Sequence, residues 1–211
     1  MNRSAGVRID LHCHTLYSND NYLEPRDLIC RARERGLDGV VVTEHHSYQA
    51  SRPLDRIARE EGFLVLRGVE VSTNRGHVLL YGVRDDSWNR WGRNNYLGAG
   101  EVLAAAAAAG AVAVAAHPFR MNDLYALGDG IYRLGGLAAV ETANGANRLE
   151  EDDQAAEAAR ALGLPQVGGS DCHDAAQVGP CYTLFERQIA SMDDLVRELS
   201  AGRCRAVRAE S

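Results

Sequence analysis

Strand-like apolar runs alternate with amphipathic segments along nearly the whole chain, and one link in the series is too short for the rest of the pattern. "VRIDLHC" is followed by "EPRDLICRARERG", where Pro25 suits a first helical turn and Gly36 a helix end. Next come "DGVVVTEHH", a helix around "PLDRIAREEG", and "FLVLRGVEVS". Farther on, "GEVLAAAAAAG" leads into "AVAVAAHP", and "GGLAAVETANG" into the helix "LEEDDQAAEAARALG". Then "PQVGGSDCH", "CYTLF" and a last helix, "SMDDLVRELSAG", complete the series. Repeated strand-then-helix units predict a parallel α/β sheet, and this many units in one domain suggest a barrel. Between "GVEVS" and "HVLLYG", however, stand only the residues "TNRG". A parallel crossover needs about a dozen residues or more, so this link reads as a hairpin. It returns His77 to the end at which Glu70 leaves, which suits a distorted barrel better than a regular eight-fold one.

All seven histidines, His12, His14, His45, His46, His77, His117 and His173, lie at or beside the edge of a strand-like run. In α/β proteins the ends of parallel strands meet on one functional rim. Asp20, Glu44, Glu70 and Asp171 share these edges. The two-residue period of a strand puts His12 and His14 on one face with Cys13 on the other, and "DCH" repeats this for Asp171 and His173. A single strand-end histidine is more often a hydrogen-bonded structural residue than a ligand. Seven together point to metal. Six of them with Asp20, Glu70 and Asp171 make nine candidate donors, whereas one zinc takes about four ligands and one manganese about six. The expectation is therefore two or three divalent ions, with Glu70 as a bridging carboxylate. Mixed imidazole and carboxylate donors suit Zn, Mn or Fe. Cys13 and Cys172 read as packing residues, and His46 as a neighbour of the ligands or a substrate contact.

The 211 residues are most simply one domain, 1–211, with 45% hydrophobic and 25% charged residues. A net charge of −6 argues against an extended nucleic-acid-binding surface. It leaves a nucleotide substrate open, since a local metal site overrides the global sign. Five cysteines without C-x-x-C spacing favour reduced thiols and a cytoplasmic location. The N-terminal residues show no apolar core of signal-peptide length, and the alanine run Ala104 to Ala109 is too weakly hydrophobic for a membrane span.

Six segments, "DLHCHT" with Asp20 following, "TEHH", "GVEVS", "GHVLLYG", "AHPF" and "GSDCHD", occur in this order between about residues 8 and 174. In them the chain resembles the polymerase and histidinol phosphatase (PHP) family. The resemblance implies a distorted seven-stranded (β/α) barrel with a bi- or trinuclear site that hydrolyses phosphoesters. It also implies His12, His14, Asp20, His45, Glu70, His77, His117, Asp171 and His173 as the metal ligands. Two departures stand out: Glu44 occupies a position where the family usually has Asp, and Asp20 lies one residue beyond the commonest spacing.

The expected reaction is attack of a metal-bound hydroxide on the phosphorus of a small phosphorylated substrate or a nucleotide. Glu70, Asp171 and His173 are the expected catalytic side chains. Arg120 after "HPF" and Arg148 after "NGAN" are candidates to hold the phosphate, although a solvated surface arginine is the more ordinary fate of each. Pro118 predicts an extended backbone at His117. The short segment between His117 and Glu141 predicts a fairly open pocket. Two alternatives are hydrolysis of an amide or ester, and a non-catalytic metal-binding domain.

Overall fold

The computed structural model describes residues 6–89, 97–121 and 126–209. Its strands are β1 (Val7–Cys13), β2 (Gly39–Val42), β3 (Leu64–Arg67), β4 (Val69–Thr73), β5 (Gly76–Tyr81), β6 (Val112–Ala115), β7 (Leu137–Asn144), β8 (Gln166–Gly169), β9 (Cys181–Phe185) and β10 (Cys204–Arg208). The helices are α1 (Pro25–Glu34), α2 (Leu54–Glu61), α3 (Ala99–Ala108), α4 (Leu149–Leu162) and α5 (Met192–Ser200). Two five-stranded mixed sheets result, ordered β10-β9-β1-β2-β3 and β4-β5-β6-β7-β8.

The "TNRG" link is the predicted hairpin: β4 and β5 pair antiparallel, with Thr73 opposite Gly76. β5 is thereby reversed, so it also runs antiparallel to β6, while β6, β7 and β8 are parallel. The run "FLVLRGVEVS", read as one strand, is two. It breaks at Gly68, where the chain steps from the first sheet into the second. A Cβ on Gly68 would stand 2.8 Å from the Leu80 carbonyl oxygen and 2.9 Å from the Tyr81 ring, so only glycine allows this crossing.

Where the sequence predicts a seven-stranded barrel, the structure has two mixed sheets. Among the described residues no continuous ladder closes the two sheets. They meet through isolated parallel bridges at one rim, Cys13 with Cys172 and His45 with Glu70. β2 is only four residues long, and β3 takes its ladder, so the chain after β2 reaches β4 only at that rim. β9 and β10 add antiparallel strands beyond β1.

Period-two alternation sorts the side chains into layers. Ile9, Leu11, Val41, Leu79, Val114, Ala139 and Val167 form the inner cluster between the sheets. Val69, Val71, Val78, Leu80 and Val140 face outward against α3 and α4. Cys13, Val40, Val42 and Cys172 face outward against Leu28, Ala32 and Leu54 of α1 and α2. Alternation thus carries Glu70, His77, His45, Glu141 and Asp171 onto the inner face at the rim.

β1 requires one further device. Asp10 pairs with Val40 but Cys13 pairs with Val42, so three steps on β1 match two on β2. This bulge shifts the phase of the strand. Ile9 and Leu11 point inward, and without the shift Cys13 would follow them while both histidines faced the helices. With it, Cys13 turns outward and His12 and His14 turn in.

Candidate metal centre

The rim gathers eight of the nine predicted ligands into three groups, and the ninth, Asp20, lies beside the third. The first holds His12, His14, Glu70 and Asp171, all buried, with ligand atoms within 4.8 Å of one another. His12 Nε2 lies 3.1 Å from His14 Nε2, 3.5 Å from Glu70 Oε2 and 3.3 Å from Asp171 Oδ1. The second group is Glu70, His77 and His117, in which Glu70 Oε1 lies 3.0 Å from His77 Nδ1 and 3.1 Å from His117 Nε2. The third is His14, His45 and His173. One imidazole nitrogen has one lone pair and serves one ion. His14 Nδ1 is engaged by the Ser18 hydroxyl at 3.0 Å, and its Nε2 faces the first group. Asp20 adjoins the other two members of the third group: its Oδ2 is 2.8 Å from His45 Nε2 and 3.1 Å from His173 Nε2.

The electrostatics show how strongly these groups depend on one another. Burial opposes charge on His12, yet Asp171, Glu141 and Glu70 hold it well above the usual imidazole value. His14 is raised to about 9 against the effect of burial by Asp171 and Glu70, and His45 to about 10 by Asp20 and Glu70. Conversely, burial would raise Glu70 and Asp171, but the surrounding imidazoles hold both well below the usual carboxylate range. The carboxylates create a buried demand for positive charge that protons or divalent cations can satisfy. The convergent nitrogen and oxygen donors fit such cations.

A further layer orients the donors. Ser18 links His14 Nδ1 to the buried Glu44, which also accepts from the Thr15 hydroxyl. Burial, which outweighs those hydrogen bonds, raises Glu44. Glu44 therefore acts toward His14 rather than toward its sequence neighbour His45. The sequence reading missed Glu141, whose Oε1 lies 3.0 Å from His12 Nδ1 and whose Oε2 accepts the His117 N–H at 2.8 Å. A lone carboxylate in the otherwise apolar run "LAAVETAN", in phase with Ala139, was the available signal.

His117 is not extended as its position before Pro118 predicted. Its φ is +27°. Alternation after the inward Ala116 would send the ring outward, and the left-handed backbone turns it toward Glu70. The Glu141 carboxylate and a turn bond from Arg120 N–H to the His117 carbonyl (3.1 Å) secure this strained conformation. Asp171 and His46 also have positive φ, 54° and 59°. His46 donates its backbone N–H to the Glu70 carbonyl and belongs to none of the three groups.

A cleft of about 320 Å³ opens over the centre, lined by His45, Glu70, His77, His117, Arg120, Asp171 and His173. Arg120 donates from Nη2 to Asp171 Oδ2 (2.7 Å) and Asn144 Oδ1 (2.8 Å), and from Nε to Asn147 Oδ1 (2.9 Å). Arg148 does not line the cleft. It is the exposed residue before the first turn of α4, where its backbone N–H donates to Glu151. A larger groove of about 820 Å³ runs along Val7, Leu64, Leu66 and Ile189, away from every predicted ligand. Cys13 and Cys172 are buried packing residues, as expected.

Comparisons with known proteins bear on the family and the fold. The PHP domain model matches residues 10–120, and a PHP-associated model matches residues 150–204, the segment supplying Asp171 and His173. An uncharacterised protein of Methanocaldococcus jannaschii is 28% identical over 152 residues, 67% of this chain and 84% of its own length. Among solved structures, a candidate metal-dependent phosphoesterase from Bifidobacterium adolescentis superposes with a TM-score of 0.65 at 21% identity, covering 92% of this chain and 96% of that one. An amidohydrolase from Chromobacterium violaceum does so with a TM-score of 0.67 at 20% identity, covering 95% and 97%. The chain belongs to the PHP domain family of metal-dependent hydrolases.

Proposed function

We propose that the chain is a metal-dependent phosphoesterase acting on a phosphorylated small molecule or a nucleotide, with two or three Zn, Mn or Fe ions in the rim cluster. The observation that carries this reading is the disposition of Glu70. Its Oε1 faces His77 and His117, while its Oε2 faces His14 and His45 at 3.2 Å each. A carboxylate whose two oxygens serve different donor groups suits a shared ligand between neighbouring ions. Divalent ions so held supply an activated water and charge stabilisation for phosphoryl oxygens.

The chain's own residues do the rest. Glu70 and Asp171 keep negative charge at the centre, and His173 stands with Asp20 at its open side. Arg120 brings a fixed positive charge to the cleft wall, its plane held by Asn144, Asn147 and Asp171, where it suits a phosphate oxygen. The open cleft admits a phosphoryl group with part of its alcohol. In the same reading β1 to β8, with β3 and β4 as one interrupted strand, are the seven strands of a distorted barrel that has no closing ladder, in a single domain. The five free cysteines suit a reducing compartment such as the cytoplasm. No helix among the described residues is long and apolar enough to cross a membrane.

Metal analysis of protein prepared without chelator, with a substrate panel on wild type and Glu70→Ala, tests the reading. The panel comprises phosphomonoesters, nucleotides, cyclic phosphates, short nucleic acids, amides and carboxylic esters. At least two metal equivalents, phosphate-ester hydrolysis, and loss of both in the variant are expected. Fewer than one equivalent under metal-replete conditions overturns the proposal, and hydrolysis confined to amides or esters transfers the chemistry to carbon.

A further inference from the structure

β7 contributes none of the nine ligands, yet its side chains reach two of them directly and a third, Asp171, through Arg120. Glu141 is 1% exposed and its two oxygens face only donors. Oε1 faces His12 Nδ1 at 3.0 Å, and Oε2 faces the His117 N–H at 2.8 Å and Asn144 Nδ2 at 3.0 Å. Asn144 Oδ1 then accepts from Arg120 Nη2, which also donates to Asp171 Oδ2. One chain of hydrogen bonds thus runs from His12 through β7 to His117 and, by way of the part-buried Arg120, to Asp171.

We infer that Glu141 is a positioning residue for the metal centre: it sets the tautomer of His12 and the backbone conformation of His117 together. The inference rests on the metal-centre reading above. A carboxylate accepting at Nδ1 leaves the proton there and the Nε2 lone pair free toward Glu70 and Asp171. The same carboxylate holds the His117 N–H in the φ +27° conformation that turns this ring inward. Since His12 and His117 belong to different donor groups, one side chain governs both. Glutamine has nearly the same shape but cannot do this. Its amide must turn an NH₂ either toward His12 Nδ1, forcing the proton onto Nε2, or toward the His117 and Asn144 donors.

The test compares metal retention by wild type, Glu141→Gln and the double variant Glu141→Gln/Asn144→Asp. Each is loaded with zinc and challenged with graded chelator, with far-UV circular dichroism monitoring the fold and the visible spectrum of the cobalt-loaded protein monitoring coordination. Glu141→Gln is expected to remain folded but to lose zinc at about 10–100-fold lower chelator concentration, with an altered cobalt spectrum. In the double variant the carboxylate introduced on the last residue of β7 accepts from the introduced amide, so part of the retention returns. Wild-type retention and spectrum in Glu141→Gln overturn the inference, as does equal loss in the double variant. Fewer than one metal equivalent in wild type overturns instead the reading on which the inference rests.

Discussion

Replacing Gly169 with alanine tests a close approach between the two sheets. A methyl group at this position would stand 2.4 Å from His12 Cβ, 2.6 Å from His12 N and 3.0 Å from His12 Cα. The backbone of Gly169 is not left-handed, so alanine is strained there only by contact. Ordinary contact begins near 3.4 Å, so β8 must withdraw from β1 by about 1 Å. That movement breaks the 2.7 Å bond from Asp171 N–H to the His12 carbonyl, in the segment carrying two ligands of one group. Overpacking costs about 1–3 kcal/mol and the hydrogen bond about 1 kcal/mol, a total of roughly 2–4 kcal/mol. For a chain of this size the melting temperature falls by roughly 4–16 °C. Calorimetry in chelator isolates this effect from metal binding, and metal analysis of the replete protein reports the displaced ligands. Gly100→Ala is the control: the site in α3 is exposed with nothing within 4 Å, and alanine there stabilises by about 0.4–1 kcal/mol. A Gly169→Ala protein that melts within about 2 °C of wild type and keeps its metal refutes the close-approach reasoning.

Arg120→Lys keeps the charge but loses the planar fork that Asn144, Asn147 and Asp171 orient. Steady-state kinetics on a hydrolysed phosphoester should show KM raised by about 10–100-fold, the value of one charged hydrogen bond, and an unchanged KM contradicts the assignment. The metal-free protein should show an inverted pH dependence at neutral and alkaline pH. His14 and His45 are raised from 6.5 to about 9 and about 10, so their contribution is complete below about 6.5 and is lost as pH rises through those values. Glu70 and Asp171 are lowered, so theirs is complete above about 4.5 and is lost as pH falls through their depressed values. Thermal melts in chelator should therefore peak between about pH 4.5 and 6.5 and decline toward pH 10, whereas bound divalent ions remove the alkaline decline. A flat profile in chelator from pH 6 to 10 contradicts the electrostatics.

Much of the centre was legible before the fold. Histidines and carboxylates at strand ends are visible because apolar runs end abruptly where polar donors begin. The hairpin was legible because four residues cannot make a parallel crossover. Other features were hidden for physical reasons. Gly68 looked like an ordinary residue in a strand until Leu80 and Tyr81 closed over it. "CRAVR" interrupts its apolar residues with two arginines, and it becomes β10 by pairing with β9. Arg120 and Arg148 follow rim strands alike, yet Asp171 and two asparagines draw the first into the cleft while the second precedes α4 at the surface.

Local chemistry alone specifies which residues of this chain carry metal-donor atoms and that β4 and β5 form a hairpin. It does not specify which way two of the ligand segments face. The bulge in β1 turns His12 and His14 away from the helices, and the positive φ at His117 reverses the alternation of β6. Both depend on partners distant in sequence, Val40 and Val42 in one case and Glu141 in the other. The two-residue period is a property of each strand by itself, but its phase relative to the core is set only when neighbouring strands pair and their buried polar groups find acceptors. The division of the clustered donors among three groups follows from that phase.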